Sequence, residues 1–493
     1  MACTTILVGK NASYDGSTLI ARNDDSGSGH YTPKKVTVVT PDLQPREYHS
    51  VISHVCIPLP EDSMTYTAVP NVLEGEGIWA ACGVNEKNVG MTATETITSN
   101  VRVLGADPLV VYKKAEGDEP EQAGGIGEED LVVLVLPYIS SAREGVKRLG
   151  SLLEEYGTYE MNGIAFSDSQ EIWWLETIGG HHWIAKRVPD DSYVVMPNQQ
   201  GIDDFDLEDA LGAQKDHMCP ADMREFIDSN YLDLSLDGHF SARAAFGSHD
   251  DSDHVYNTPR AWYMLRYFNP HTARWDGPDA DYRPDSNDLP WQMVPERKIT
   301  PEDVKYILSS HFQGTPYDPY QTCGDPSMRG AFRAIGVNRT DFMGMVQIRP
   351  YLPGGCRSLV WIAFASNVFN VMVPLYTNVP AMPEYLTNTT GQVSTENFYW
   401  ASRLIGALAD ASYKQCLIHI ERYEQAVGAM AHRLVGQTDR DALQAPDGQV
   451  RSLLTQANDQ MADCLKDETG KALANVLYER SNLMKNAYAR SDA

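Results

Sequence analysis

Two short apolar runs at the start of the chain constrain the fold more than any other feature. Residues 4–8 follow Cys3 directly, and residues 17–21 lead into Arg22 and two acids after a short polar break. Runs rich in β-branched residues predict strands, and the break predicts a tight connection between them. In an antiparallel hairpin the start of the first strand lies beside the end of the second. The sequence therefore predicts that the Cys3 thiol meets Arg22 and the acids that follow it.

The size and charge of the chain exclude several functional classes. With 493 residues, 42% of them hydrophobic, it can bury a large core, and its net charge of −27 disfavours nucleic acids and anionic membranes as partners. The start of the chain lacks a basic segment followed by an apolar core, and the apolar runs have strand length, so we expect neither a signal peptide nor a membrane span. Eight scattered cysteines without a CxxC pair predict reduced thiols and a cytoplasmic location.

The order of the predicted elements indicates an α+β protein. Strand-like patterns dominate residues 1–100, 160–200 and 329–378. Helical patterns are predicted as two segments within 127–156, near 203–214, 220–228, 258–268 and 300–311, and then over 397–436 and 450–490. We therefore expect a β-rich unit over residues 1–394, with insertions at about 201–330, and a helical C-terminal region over 395–493 packed on the same unit.

The position of Cys3 makes it a candidate nucleophile. A cysteine is more often a small buried hydrophobe. If Met1 and Ala2 are removed, however, Cys3 carries both a thiol and a free α-amine. The amine has an ordinary pKa of about 7.7–8.0 and the thiol one of about 8.5, so the amine can accept the thiol proton near neutral pH. An N-terminal nucleophile would thus bring its own base.

The charged end of the second run supplies candidate orienting groups. The simpler interpretation is a polar strand end that leads into a turn. In the functional interpretation Arg22 favours the thiolate, while one acid accepts hydrogen bonds from the α-ammonium group. The residues by themselves leave open whether that acid is Asp24 or Asp25.

Two histidine-containing segments are weak candidates for metal ligands. His181 and His182 are adjacent, and adjacent residues of a strand point to opposite faces. The segment 248–254 is rich in His and Asp, but a solvated acidic loop is the favoured interpretation. The chain contains no HExxH, GxSxG or P-loop motif. We therefore predict neither a metal nor a cofactor.

Many short motifs spread over most of the chain resemble one family. They include Cys3-Thr4-Thr5, Asp15-Gly16-Ser17-Thr18, Ala21-Arg22-Asn23-Asp24-Asp25, Gly83-Val84-Asn85-Glu86, Gly180-His181-His182-Trp183, Pro197-Asn198-Gln199, Tyr256-Asn257-Thr258-Pro259-Arg260 and Gln347-Ile348-Arg349-Pro350. Together they are similar to the bacterial dipeptidase A family, the cysteine dipeptidases of the N-terminal nucleophile (Ntn) hydrolase superfamily, to which secernins are related.

The resemblance implies a fold, a reaction and an assembly. The fold would be a four-layer αββα sandwich of antiparallel sheets. The reaction would be the hydrolysis of dipeptides through a thioester on Cys3, after removal of Met1 and Ala2 and without a metal or cofactor. The assembly would be a homo-oligomer.

The resemblance also assigns roles to individual residues. An arginine followed three residues later by an aspartate is typical of the superfamily, and this spacing favours Asp25 over Asp24. Asn198 falls at the position of the oxyanion asparagine, and Arg260 at that of a later active-site arginine. Glu95 stands where related acylases carry an asparagine. This difference from the acylases implies that Glu95 meets the ammonium group of the substrate.

Three other functions remain open from the sequence. The first is a non-peptide amide hydrolase of the bile-salt or penicillin acylase type, which would need a strongly apolar acyl pocket. The second is a non-catalytic, secernin-like protein. The third is a metallohydrolase that uses the His- and Asp-rich segment 249–254.

Overall fold

The computed structural model describes residues 3–92, 95–236 and 238–486, apart from the side chains of Glu95 and Asp447. The strands are β1 (Thr4–Val8), β2 (Thr18–Asp25), β3 (Thr37–Val39), β4 (Glu47–His49), β5 (Cys56–Pro58), β6 (Tyr66–Ala68), β7 (Cys82–Asn85), β8 (Gly90–Thr92), β9 (Glu95–Thr96), β10 (Asn162–Ser167), β11 (Ile172–Thr177), β12 (Trp183–Val188), β13 (Tyr193–Met196), β14 (His217–Met218), β15 (Gln292–Met293), β16 (Thr340–Ile348), β17 (Ser358–Phe364) and β18 (Val373–Tyr376).

The helices lie between and after these strands. They are α1 (Val101–Ala106), α2 (Leu131–Val135), α3 (Ala142–Tyr156), α4 (Leu207–Leu211), α5 (Met223–Ser229), α6 (Ala242–Phe246), α7 (Asp253–Tyr256), α8 (Thr258–Phe268), α9 (Pro301–Leu308), α10 (Glu384–Thr387), α11 (Phe398–Asp410), α12 (Tyr413–Gln444) and α13 (Asp447–Asn482). In the part of the chain that the structure describes, no helix combines the length and the apolar character needed to cross a bilayer.

The predicted N-terminal hairpin is confirmed. Strands β1 and β2 pair antiparallel, with Thr4 opposite Asn23 and Thr5 opposite Arg22. The connection turns at Gly16, whose φ of 84° lies in the left-handed region that glycine adopts without steric cost. This register places Cys3, the residue before β1, beside the charged end of β2.

Two antiparallel sheets carry most of the strands. The first has the order β15-β13-β1-β2-β16-β17-β18, so the N-terminal hairpin lies near its centre. The second has the order β14-β12-β11-β10-β8-β7-β6-β3, and β9 also pairs with β10. Strands β4 and β5 form a separate two-stranded sheet. The α+β class predicted from the sequence is confirmed.

Alternation along the strands determines which residues meet between the sheets. Leu7 and Ile20 of the first sheet share one buried apolar cluster with Val84, Ala165 and Trp174 of the second. Since successive strand residues point to opposite faces, their neighbours point away from the other sheet. The outward faces pack against helices, those of the first sheet against α8, α9 and the C-terminal helices, and those of the second against α2 and α3.

The C-terminal helices cover the edge of the first sheet. The side chain of Asn458 on α13 accepts from the backbone N–H of Tyr376 at 2.9 Å and donates to its carbonyl at 3.0 Å. Asp439 on α12 forms an ion pair of 2.7 Å with Arg349. Backbone groups of the edge strand β18 are thereby satisfied by a helix, which protects the edge from pairing with other chains.

Predicted helix positions were more accurate than predicted helix bounds. Helix α8 has the predicted bounds, whereas α4 and α5 are shorter than the predicted segments 203–214 and 220–228. The pattern over 397–436 is interrupted between α11 and α12, because the chain turns back at residues 411–412 to pack both helices on the sheet. Helix α13 ends at Asn482, and the last residues of its predicted span lie outside the described residues.

Candidate active site

The thiol of Cys3 lies at the start of β1, beside the end of β2. Its Sγ accepts a hydrogen bond from Nη2 of Arg22 at 2.9 Å. Both residues are fully buried. A guanidinium group at this distance favours the thiolate, which is the reactive form of cysteine. The contact between Cys3 and Arg22 that the hairpin predicted is therefore present.

The same nitrogen of Arg22 connects the thiol to two carboxylates. Nη2 lies 3.0 Å from Oδ1 of Asp24 and 3.0 Å from Oε1 of Glu128. Arg22 and Asp24 share one face of β2 because they are two residues apart. Glu128 belongs to the segment that directly precedes α2 and is therefore distant from β2 in the sequence. Arg22 thus lies at the centre of a buried group that contains one thiol and two acids.

A second cation neutralises Asp24. Nζ of Lys34 lies 2.8 Å from Oδ2 of Asp24 and also donates to the carbonyl of Trp79 at 2.7 Å. Burial by itself would raise the pKa of the Asp24 carboxyl group, but the charges of Lys34 and Arg22 outweigh it and hold that pKa below its ordinary value. Asp24 is therefore ionised at neutral pH.

Asp25 lies on the opposite face of β2. It forms an ion pair with Arg333 and accepts a hydrogen bond from Oγ1 of Thr340 at 2.5 Å. The structure thus brings Asp24 to the residues around Cys3 and directs the side chain of Asp25 to a different set of partners. The catalytic role of Asp25 stays a prediction.

Arg260 on α8 joins the backbone of Cys3 to Asn198. Its Nη1 donates to the carbonyl of Cys3 and to Oγ1 of Thr4, the latter at 2.7 Å. Its Nη2 donates to Oδ1 of Asn198 at 2.7 Å and to Oδ1 of Asn257 at 2.8 Å. The predicted residues Cys3, Arg22, Asn198 and Arg260 are therefore brought together.

The short strand β9 contains Glu95 and the residue that Asn198 contacts, Thr96. Nδ2 of Asn198 donates to the carbonyl of Thr96 at 2.8 Å. The backbone of Glu95 pairs opposite Gly163 in the second sheet, while its side chain lies outside the described residues. The roles of Asn198 with an oxyanion and of Glu95 with an ammonium group stay predictions.

Glu128 and Lys34 are site residues that no sequence motif indicated. In the sequence, the acids at 128–130 are typical of the first turn of a helix. The apolar residues that follow them offered a signal, because every residue of α2 is buried. Acids that immediately precede a fully buried helix must themselves be close to the core, where they need partners.

The two histidine segments have other partners. Nδ1 of His181 and Nδ1 of His182 both contact the carboxylate of Asp107, at 3.2 and 2.8 Å. In the acidic segment, Oδ2 of Asp253 accepts from Oγ of Ser248 at 2.9 Å, and Nε2 of His254 lies 3.0 Å from Oδ1 of Asn287. These contacts fit a structural role for both segments.

One group in the described ranges has the side-chain types of a metal site. Sγ of Cys3 and a carboxylate oxygen from each of Asp24 and Glu128 lie within 4.8 Å of one another. Nη2 of Arg22 already contacts all three side chains. The positive charge at the centre of this group is therefore a guanidinium group.

Comparisons with known proteins relate the chain to a family of peptidases. Residues 2–426 match the sequence profile of peptidase family C69. The chain is 57% identical to a dipeptidase of Bifidobacterium longum (strain NCC 2705) and 50% identical to a probable dipeptidase A of Streptococcus pyogenes serotype M3 (strain SSI-1), each over 100% of both chains. It is 42% identical to dipeptidase A of Lactobacillus helveticus, over 99% of this chain and 98% of the relative.

These matches define the protein as a peptidase of the hydrolase class. The chain belongs to peptidase family C69. The resemblance to the dipeptidase A family that the motifs indicated is confirmed.

Proposed function

We propose that the protein is a cysteine dipeptidase in which Cys3 is the nucleophile. The observation that carries this proposal is the hydrogen bond of 2.9 Å from Arg22 to the buried Cys3 thiol. The relatives carry the names dipeptidase, dipeptidase A and probable dipeptidase A, and these names support dipeptides as the substrate class.

The proposed fold is the four-layer αββα sandwich of Ntn hydrolases. Contacts between β2 of the first sheet and β8 and β10 of the second support two facing sheets. Contacts of α3 with the second sheet and of α9 with the first support helical layers outside them. In this arrangement Cys3 lies at the start of the central strand β1, between the two sheets.

Removal of Met1 and Ala2, which lie outside the described residues, would complete the site. The new α-amine of Cys3 would be the nearest base to its own thiol. Since its ordinary pKa is about 7.7–8.0, it can accept a proton near neutral pH and return it later. A second cut after removal of Met1 is needed, and we propose that the Cys3 thiol performs it.

The proposed reaction proceeds through a thioester. The α-amine takes the thiol proton, and Sγ attacks the carbonyl carbon of the peptide bond to form a tetrahedral oxyanion. As this intermediate collapses, the C–N bond breaks and the α-ammonium group gives its proton to the leaving amino acid. Water then attacks the thioester, which releases the second product as a carboxylic acid and restores the thiol.

Other predicted residues have roles around this centre. Asn198 would stabilise the oxyanion, a donor of this kind being worth roughly 2.7–4 kcal/mol. Arg22 would stabilise the thiolate, and Arg260 would hold Cys3 and contribute to substrate binding. Asp25 is the acid that the family spacing implies, and Asp24, which contacts Arg22, is the second candidate.

The proposal also includes a homo-oligomeric, cytoplasmic enzyme that acts on small peptides. The catalytic unit would span residues 1–394, and the helical region from 395 would serve packing and assembly. Light scattering of the purified protein at several concentrations measures the assembly, and a monomer at all of them would contradict this part.

The proposed function is tested with purified protein, a panel of dipeptides and the variant Cys3→Ala. Mass spectrometry of the N-terminus should find a chain that begins at Cys3, and Cys3→Ala should retain Ala2 and lack activity. A chelator should leave the wild-type rate unchanged. Full activity in Cys3→Ala would contradict the proposal, and full activity with Met1 and Ala2 in place would contradict the α-amine as base.

A further inference from the structure

We propose that Glu128 binds the α-ammonium group of the substrate, so that the enzyme selects peptides with a free N-terminus. This inference rests on the proposed dipeptidase function and adds a residue that determines specificity. The inference starts from the carboxylate of Glu128, whose Oε1 stabilises Arg22 and whose Oε2 can accept a further hydrogen bond.

The hydrogen bonding of Glu128 is incomplete. Oε1 accepts from Nη2 of Arg22 at 3.0 Å, and the residue is only 2% exposed. Within the described ranges, Oε2 has no hydrogen-bond partner although it is buried. A buried carboxylate oxygen without a donor is unfavourable, and such groups in native structures usually have a functional explanation. An ammonium group of the substrate would supply the donor.

The position of Glu128 fits a substrate attacked by Cys3. A carboxylate oxygen of Glu128 lies within 4.8 Å of Sγ. In a dipeptide the α-nitrogen is two bonds, or about 2.5 Å, from the carbonyl carbon. That carbon must approach the nucleophile to about 3–3.5 Å. A substrate held in this way can therefore place its α-nitrogen within hydrogen-bonding distance of Glu128 while its carbonyl group faces the thiol.

The charges around Glu128 favour an additional cation. Glu160 accepts from the backbone N–H of Glu128 at 2.7 Å, and Glu129 and Asp130 follow in the chain. With Asp24 this makes five carboxyl groups, and among the described residues the cations that form ion pairs within this group are Arg22, with Asp24 and Glu128, and Lys34, with Asp24. Burial raises the pKa of Glu129 to about 7 and that of Asp130 to about 6, as expected for desolvated acids whose side-chain donors in the described ranges are neutral hydroxyl groups.

The test compares alanyl-alanine with propionyl-alanine, which differs only by a hydrogen in place of the ammonium group. A chain that lacks Ala2 is used, because removal of Met1 then exposes Cys3 without self-processing, and mass spectrometry verifies this. We expect the wild type to prefer alanyl-alanine by roughly 10⁴-fold, as is typical of a site built to bind a polar group of its substrate.

In this background, Glu128→Gln should lower kcat/KM for alanyl-alanine by about 10- to 100-fold, the effect of losing a hydrogen bond to a charged group. The rate at which neutral iodoacetamide alkylates Cys3, followed by peptide mapping, should stay unchanged because Arg22 remains in place. Glu155→Gln, an exposed position on α3, is the matched control and should change neither quantity. The same kinetics on Glu95→Gln test Glu95, the other candidate for binding the ammonium group. A larger loss of kcat/KM for alanyl-alanine in Glu95→Gln than in Glu128→Gln would contradict the inference.

Several outcomes would overturn the inference. Equal rates of wild type on both substrates would show that the ammonium group is not recognised, while the dipeptidase proposal would stand. A parallel loss of activity and of alkylation rate in Glu128→Gln would show that Glu128 only positions Arg22. Failure of the wild type to cleave either compound would contradict the proposed function itself. If Glu128→Gln does not fold, Glu128→Asp must raise KM for alanyl-alanine without slowing alkylation.

Discussion

At the residue scale, one nitrogen of Arg22 serves three acceptors, of which the Cys3 thiol is one. Nη2 of Arg22 contacts Cys3, Asp24 and Glu128 at 2.9–3.0 Å. Since this nitrogen carries two hydrogens, the three contacts share them, and the thiol competes with two carboxylates. The planar guanidinium group is suited to such a junction because its donors are held in a rigid fork.

Replacing Arg22 by lysine should therefore impair the thiol while keeping the charge. The ammonium group of lysine is compact and lacks the fork, so we expect it to move toward the carboxylates and away from Sγ. We expect kcat to fall about 100-fold, as for a misplacement of about 1 Å in a catalytic site. Steady-state kinetics and Cys3 alkylation measure this, and unchanged values for both would contradict the assigned contact.

Asp25 and Arg333 form a buried pair whose removal affects stability. Asp25→Asn leaves the guanidinium group of Arg333 without its carboxylate, in a site where both side chains are at least nine-tenths buried. We expect the free energy of unfolding to drop by about 3–5 kcal/mol. Chemical denaturation measures this. A variant as stable as wild type but inactive would instead favour the catalytic role that the family spacing implies.

At the element scale, the start of α2 combines acids with a fully buried helix. Oε2 of Glu129 accepts from the hydroxyl group of Tyr159 at 2.5 Å, and Oδ1 of Asp130 accepts from that of Tyr48 at 2.6 Å. Each acid is thus satisfied by neutral donors, which compensate a buried negative charge less well than a cation does. The short helix therefore places acidic groups at the site that are costly to ionise.

The raised pKa of Glu129 predicts how Glu129→Gln changes the free energy of unfolding with pH. Burial and the neighbouring Asp130 raise the pKa of Glu129 from 4.5 to about 7, so the folded state holds the proton more tightly than the unfolded chain. The contribution of this group to stability is complete below pH 4.5 and is lost as the pH rises through 7. Glutamine does not titrate, so relative to wild type the variant should gain about 1–3 kcal/mol between pH 5 and pH 8.

Urea unfolding at these two pH values measures the gain. Glu155→Gln is again the control, because this glutamate is exposed and should give the same difference from wild type at both values. A larger stability advantage of Glu129→Gln at the lower pH would show that the assigned direction of the pKa shift is wrong.

At the scale of the whole molecule, the C-terminal helices are joined to the sheets by polar contacts as well as by the apolar core. The carboxylate of Asp439 pairs with Arg349 at 2.7 Å and accepts from the hydroxyl group of Tyr376 at 2.8 Å. Val427 and Ile420 of the same helix belong to the apolar cluster that contains Ile6 and Leu19 of the N-terminal hairpin. The helical region thus supports the sheet that holds the site.

We expect Asp439→Ala to destabilise the protein by about 3–5 kcal/mol, because it leaves Arg349 buried without its partner. Lys466→Ala is the matched control, since its ion pair with Glu396 is exposed on both sides and should contribute little. Thermal and chemical unfolding compare the two variants. Equal effects would show that the Asp439 contact does not join the helices to the sheet.

Much of this architecture could be predicted from local patterns. Alternation over residues 4–8 and 18–25 was sufficient for the hairpin and for the meeting of Cys3 with Arg22, because pairing at a hairpin is a local property. The same alternation, applied one step further, places Arg22 and Asp24 on one face and Asp25 on the other. Bounds of short helices were less predictable, because packing on the sheets decides where they end.

The sequence by itself determined the family, the antiparallel strands and the position of the thiol beside an arginine. Only the tertiary structure decided which distant residues complete the site. Glu128 reaches Arg22, and Arg260 reaches Cys3, across separations of more than one hundred residues. Both contacts depend on how the sheets and α8 pack. Local periodicity determines the face on which a side chain lies, whereas its partners across the core depend on the packing of elements that are far apart in the chain.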